Sequence, residues 1–260
     1  MSSKTDKAFD AYHQKDYKKA IDLFSSVLET EEASAELYNN IALCYYNLKD
    51  DERAEKNFLK ALELNPKLIE IYINLSDIYY KAKDYLKGIE LLSRGIKSVA
   101  DNLVLRHYLA RFYMEDARAD LAVDELYRIL EAQPENYDAY YDLARVNFEL
   151  GNYDTAIENF ENVLEYKSDN EWIYYYLAQA YEANNEIDKA ISNYLKAIAV
   201  NYNFTPAYKK VGILFLARGD YDDAKEYFED YMEKDIPQEE IIQIKELINR
   251  IKKKQNHEKF

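Results

Sequence analysis

The stretch Glu36–Pro66, ELYNNIALCYYNLKDDERAEKNFLKALELNP, decides the fold. Tyr38, Ile41, Ala42 and Tyr45 stand three or four residues apart, which puts them on one stripe of a helix. A polar break at Asn47–Asp51 interrupts the pattern, and Ala54, Phe58, Ala61 and Leu62 form a second helical stripe. Pro66 closes the segment, because its ring and missing N–H stop a helix just before it. Large side chains on one helix face small ones on the other, so the two can pack closely and antiparallel. A single pair cannot bury both of its apolar faces and needs copies of itself.

The copies are present. Ala20, Ala54, Gly88, Ala122, Ala156, Ala190 and Ala224 recur every 34 residues. Four places further on stand Phe24, Phe58, Leu92, Leu126, Phe160, Tyr194 and Phe228. The first helix of each pair repeats Ile41, Leu75, Leu109, Leu143, Leu177 and Val211. A small residue follows each time: Ala42, Ser76, Ala110, Ala144, Ala178 and Gly212. The register runs through without an insertion.

This pattern resembles the tetratricopeptide repeat (TPR), whose 34-residue signature runs aromatic, Leu, Gly or Ala, Tyr, Ala, aromatic and Pro. Tyr38, Ile41, Ala42, Tyr45, Ala54, Phe58, Ala61 and Pro66 occupy those places, and the resemblance covers residues 1–238. It implies an all-α, right-handed superhelical solenoid of antiparallel helix pairs. The expected units are 1–34, 35–68, 69–102, 103–136, 137–170, 171–204 and 205–238, followed by a capping helix and basic tail over 239–260. Such repeats serve many unrelated partners, so the resemblance is specific for fold and weak for function.

Composition agrees with a helix-dense array: 32% of residues are charged, with only 5 Gly and 4 Pro. The 27 tyrosines suit stacked helices, since Tyr fills a gap while its hydroxyl reaches water. A net charge of −15 argues against a nucleic-acid footprint, which needs a basic face, and fits basic or apolar partners. The one cysteine, Cys44, excludes an internal disulfide and reads as a core thiol beside Tyr45. Met1–Asp10 has no apolar run for a signal peptide, no stretch is apolar enough for a membrane span, and the final HEKF has no lipidation cysteine. A cytoplasmic, non-membrane protein is expected.

Along the chain, Lys4 and Lys7 replace the aromatic and the leucine of the first unit, as suits a terminal repeat with a free face. Gly151, Asn185 and Gly219 suit left-handed residues after a helix, and Asp16, Asp50, Asp84, Asn152 and Asp220 suit N-caps. Gly88 and Gly95 lie inside a helix, where each costs about 0.8–1.0 kcal/mol relative to Ala. Either neighbouring backbone comes too close for a methyl group, or the helix is a weak point about which two halves flex. The fourth unit lacks the usual turn residues at Ala117–Ala119 and carries Arg106 where others have Tyr. Past Pro237, residues 238–254 form an amphipathic helix through Ile241, Ile242, Ile244, Leu247, Ile248 and Ile251. Its basic end reads as favouring the helix dipole.

No catalytic constellation is present. His13, His107 and His257 have no metal-ligand spacing, and there is no phosphate loop or nucleophile elbow. The Asn74 and Asn203 sequons mean little without a secretory signal. Neither an enzyme nor a cofactor or metal protein is indicated.

The informative surface is the other side of each first helix. In the fifth unit Tyr140, Leu143, Ala144 and Asn147 gather on one side while Asp138, Tyr141 and Arg145 point nearly opposite. The tetratricopeptide resemblance implies that this opposite side lines a concave groove. Across the units it presents Asn40, Asn74, His107, Arg111, Tyr141, Arg145, Trp172, Tyr175, Tyr176 and Gln179, with Lys209 beyond. Aromatics and Arg are frequent interface anchors. At helical spacing, however, Arg111 can pair with Glu115, and Arg145 with Glu149 or Asp142, and the tyrosines can simply pack between repeats. The five-residue clamp with which some family members hold Hsp70 or Hsp90 tails is incomplete, because Thr5, Phe9 and Val104 flank the asparagines. That co-chaperone role is disfavoured. The expected function is a non-catalytic protein-interaction scaffold that binds a peptide or partner segment. The second reading is a homo-oligomer, a structural protein that self-assembles through its C-terminal helix or convex surface.

Overall fold

The 34-residue period becomes a period of helix lengths. The described residues, 4–30 and 33–257 of a computed structural model, hold fifteen α-helices and no strand. They are α1 (Lys4–His13), α2 (Tyr17–Leu28), α3 (Ala35–Asn47), α4 (Asp51–Leu64), α5 (Ile69–Lys81), α6 (Tyr85–Ser98), α7 (Leu103–Glu115), α8 (Ala119–Ala132), α9 (Tyr137–Glu149), α10 (Tyr153–Tyr166), α11 (Glu171–Ala183), α12 (Ile187–Val200), α13 (Thr205–Arg218), α14 (Tyr221–Met232) and α15 (Gln238–His257). From α3 to α12, odd-numbered helices have 13 residues and even-numbered ones 14. The protein is an all-α helical repeat array. Positions 1–3 and 31–32 of the first expected unit, and 258–260 of the expected basic tail, lie outside the described residues.

The chain divides into two units, 1–134 and 135–260, each with its own apolar core. In the first, each helix from α1 to α8 packs on the next, and Ala54, Phe58, Ala61 and Leu62 of α4 are all buried. In the second, α9 to α15 do the same, and α15 adds Ile244, Ile248 and Ile251 to the core. Ile242, expected on the apolar stripe, is instead 52% exposed, because one residue's step along a helix turns it about 100° off that face. Lys4 and Lys7 are exposed, as a terminal helix allows.

Each turn within a helix pair is built the same way. Lys15, Lys49, Lys83, Ala117, Gly151, Asn185 and Gly219 all have positive φ. In each case the next residue's N–H reaches back to a carbonyl near the helix end at 2.8–3.0 Å, closing a Schellman motif. The fourth unit therefore keeps the turn its sequence was expected to lack, with Ala117 at φ 56°. Asp16, Asp50 and Asp84 cap the next helices by accepting the N–H of Lys19, Arg53 and Lys87. Asn152 and Asp220 stand at the cap position without a side-chain capping bond. Asn152 donates to Asn147 Oδ1 at 3.2 Å, and Asp220 pairs with Arg218.

What fills the space at the α6 glycines is side chain rather than backbone. A Cβ on Gly88 would fall on the Phe112 ring, and one on Gly95 would lie 2.8 Å from Tyr72 Cδ1. The boundary between the two units falls after Pro134, not at these glycines. Arg106, 7% exposed, takes the place of a tyrosine by pairing with both Asp101 and Glu125. Cys44 is buried, and desolvation pushes its thiol up to about 11, so it stays protonated at neutral pH.

Candidate functional site

Two asparagines set the start of the helices that carry the site. Asn136 Oδ1 accepts the N–H of Ala139 at 3.0 Å, and Asn170 Oδ1 accepts that of Trp172 at 2.9 Å. These caps fix the rotation of α9 and α11. Ala139, Leu143 and Ala144 of α9, and Ile173, Leu177 and Ala178 of α11, then go to the core. Tyr141, Arg145, Trp172, Tyr175, Tyr176 and Gln179 are left at least partly exposed.

The rings form one connected run. Tyr141 meets Phe160 edge-on at 6.1 Å and Tyr176 at 6.2 Å. Phe160 and Tyr176 stack at 6.3 Å with planes 13° apart, and Trp172 stacks on Tyr176 at 5.8 Å. Trp172 and Tyr175 both turn an edge to Phe204, at 4.8 and 5.4 Å. Burial raises the phenol pKa of Tyr141 and of Tyr175, so both stay neutral donors.

Tyr176 separates two clefts. The larger, about 390 Å³, is lined by Tyr137, Asp138, Tyr141, Lys167, Trp172 and Tyr176, with Val163, Asn170 and Ile173. The smaller, about 200 Å³, is lined by Arg145, Phe148, Glu149, Phe160, Tyr176 and Gln179. Of the two partners open to Arg145 by spacing, Asp142 is the nearer, at 4.0 Å from a guanidinium nitrogen. So loose a pair at the surface contributes little.

The other four expected residues lie in the first unit. Asn40 and Asn74 are half-buried on α3 and α5, as is His107 on α7, where Arg111 is exposed. Arg111 does not take Glu115 as its ion-pair partner among the described residues. Its guanidinium lies 6.0 Å from the Tyr80 ring centre, and Glu115 accepts the Tyr80 hydroxyl at 2.8 Å. Lys209, expected on the same face, is tied to Glu240 of the C-terminal helix at 2.7 Å.

Sequence reasoning missed Tyr137, Lys167 and Phe160 as cleft-lining residues, and missed that the buried Phe204 backs Trp172 and Tyr175 from the core. Phe160 repeats the core pattern of Phe24 and Phe58, so spacing assigned it wholly to the interior, whereas its ring also lines the smaller cleft. Larger depressions open between even-numbered helices, about 540 Å³ around Tyr79 and Lys87 and about 530 Å³ around Tyr181 and Lys189. In each a buried tyrosine donates to a glutamate, Tyr79 to Glu55 and Tyr181 to Glu161. In each a lysine stands over that tyrosine, 5.4 and 5.0 Å from the ring centre. A recurring depression whose polar groups satisfy one another is a property of helix stacking. Among the described residues no His, Cys, Asp or Glu group is placed to hold a metal, and no helix is long and apolar enough to cross a membrane.

Paired helices in fixed register, with an aromatic face on the first helices, define a helical-repeat protein. The chain is a tetratricopeptide repeat protein: three tetratricopeptide repeat models match it, at residues 35–68, 126–158 and 147–211. No curated protein matches it in sequence. Among solved structures, the C-terminal part of a TPR repeat-containing protein from Cytophaga hutchinsonii superposes with a TM-score of 0.76 at 18% identity, over 91% of this chain and 97% of that one. A tetratricopeptide repeat protein from Parabacteroides merdae gives 0.66 at 18% identity, over 95% and 97%. YrrB, a TPR protein with an unusual peptide-binding site, gives 0.59 at 22% identity, over 71% and 95%. Identities this low show likeness of fold.

Proposed function

We propose that this protein is a non-catalytic interaction scaffold that takes a peptide or partner segment on the aromatic face of α9 and α11. The observation that carries this reading is the run of Tyr141, Tyr176, Trp172 and Tyr175 beside two open clefts, backed by the buried rings of Phe160 and Phe204. Aromatic rings give large contact area at low conformational cost, and Trp172 is 44% exposed where a polar residue would be ordinary. That YrrB, a chain of this fold, has a peptide-binding site supports the reading at the level of fold. Arg145 orients an acidic group of the partner, with a charge-assisted bond contributing roughly 1.5–3 kcal/mol, and Gln179 adds polar contact beside it. In the first unit Asn40, Asn74, His107 and Arg111 offer a separate polar face for the same kind of partner.

Selection of displayed random peptides against the full-length chain tests this. Trp172→Ala is expected to weaken the selected peptides at least ~10-fold without changing helicity. Arg145→Glu is expected to abolish binding of those selected peptides that carry an acidic residue. A selection yielding no peptide, or peptides indifferent to both substitutions, rejects the reading.

A further inference from the structure

The larger cleft already holds a cation. Lys167 follows α10 as its C-cap, and its ammonium lies 4.3 Å from the centre of the Tyr137 ring and 3.7 Å from Asp138 Oδ1. This lysine is partly exposed, and surface pairs of that kind are weak and readily exchanged. Asp138 is 68% exposed, so its carboxylate is open to a second cation. Tyr141, Trp172 and Tyr176 bring three further rings to the same cleft. Ring faces are negative, and several around one point attract a cation more than an apolar group of the same size.

The surroundings have the matching sign. Residues 135–200 carry 13 Asp or Glu against 4 Lys or Arg. Two of those four cations are already beside carboxylates, Lys167 by Asp138 and Lys189 by Glu186, and Arg145 lines the smaller cleft instead. The N-termini of α9 and α11 would by themselves favour an anion, but Asp138 and Glu171 occupy their first turns. The end of α10 favours a cation, since helix C-termini present unpaired carbonyls. A full carboxylate outweighs a screened half-charge at a helix end.

We infer that the cleft of Tyr137, Asp138, Tyr141, Trp172 and Tyr176 is an aromatic cage for a cationic side chain, arginine or methylated lysine, of a basic partner segment. The inference rests on the peptide-binding reading of this face and adds the sign of the charge it takes. Lys167 is the internal placeholder that such a side chain displaces.

Trp172 is the only tryptophan in the sequence and lines this cleft, so its emission reports binding there. Full-length protein is titrated with capped Gly-Ser-X-Ser-Gly peptides in which X is arginine, trimethyllysine, norleucine or glutamate. Arginine or trimethyllysine is expected to give a saturable change with Kd about 10-fold below norleucine, and glutamate none. Asp138→Asn is expected to narrow that preference, while Lys167→Ala tightens the cationic peptides. Norleucine binding as tightly as the cations overturns the cage and leaves the peptide-binding reading standing. A flat signal with every peptide overturns the cage and counts against the peptide face as well.

Discussion

Residues 15, 49, 83, 117, 151, 185 and 219 occupy one structural place, and only the fifth and seventh of them are glycine. A non-glycine residue in the left-handed region costs about 1–2 kcal/mol, against about 0.5–1 kcal/mol of extra chain entropy that a glycine loses on folding. Ala117→Gly is therefore expected to stabilise the protein by about 0.5–1 kcal/mol, read as a higher urea midpoint at unchanged slope. Gly88→Ala is expected to act in the opposite direction. Its methyl would meet the buried Phe112 ring, whose neighbours Tyr80 and Tyr85 pack edge-on at 5.6 and 6.3 Å and leave it nowhere to go. Overpacking costs about 1–3 kcal/mol, and at so short a contact the upper end applies. That exceeds the 0.8–1.0 kcal/mol of helix propensity gained, so the melting temperature should fall. A rise on Gly88→Ala would mean that the glycine serves flexibility instead.

Between elements, many of the tyrosine hydroxyls go to carboxylates on neighbouring helices rather than to water. Tyr79 donates to Glu55 at 2.8 Å, Tyr181 to Glu161 at 2.5 Å, Tyr194 to Glu182 at 2.7 Å, and Tyr231 to Glu240. Burial first, and the accepting carboxylate second, hold all four phenols well above their ordinary range. Their folded-state pKa is raised, so the stabilisation is complete below the unfolded value near 10 and is lost as pH rises above it. Above that pH the unfolded chain releases these protons and the folded chain keeps them, which drives unfolding. Each such tyrosine contributes a slope of roughly 1.4 kcal/mol per pH unit. Helicity is expected to collapse cooperatively on alkaline titration, together with late tyrosinate absorbance. Tyrosinate that titrates near pH 10 with helicity intact would show that these bonds are not held.

For the molecule as a whole, the question is whether copies of the chain associate. The C-terminal helix spends Ile244, Ile248 and Ile251 on its own core, which leaves Ile242 as an isolated apolar residue. One exposed isoleucine is not an interface, and a net charge of −15 keeps copies apart. Sedimentation is expected to show one species of 30.8 kDa at both low and high concentration. A dimer that disappears with Ile242→Asp would favour self-assembly through α15.

By itself the amino-acid sequence determined the all-α repeat with its 34-residue period, and it left Tyr141, Arg145, Trp172, Tyr175, Tyr176 and Gln179 off the fully buried stripe of their helices. Those follow from periodicity and helix-stopping residues, which act within one or two turns of the chain. Tertiary structure alone decided that Phe112 fills the space at Gly88, that Arg106 is neutralised by Asp101 and Glu125, and that Lys167 stands over Tyr137 in the larger cleft. The contrast of Phe160 with Asn40 shows why. Both fit their repeat positions equally well, but only the packing of α9, α10 and α11 brings a buried ring to the edge of an open cleft. Periodicity fixes which way a side chain faces along its own helix, whereas contacts with a neighbouring helix depend on how closely the two approach.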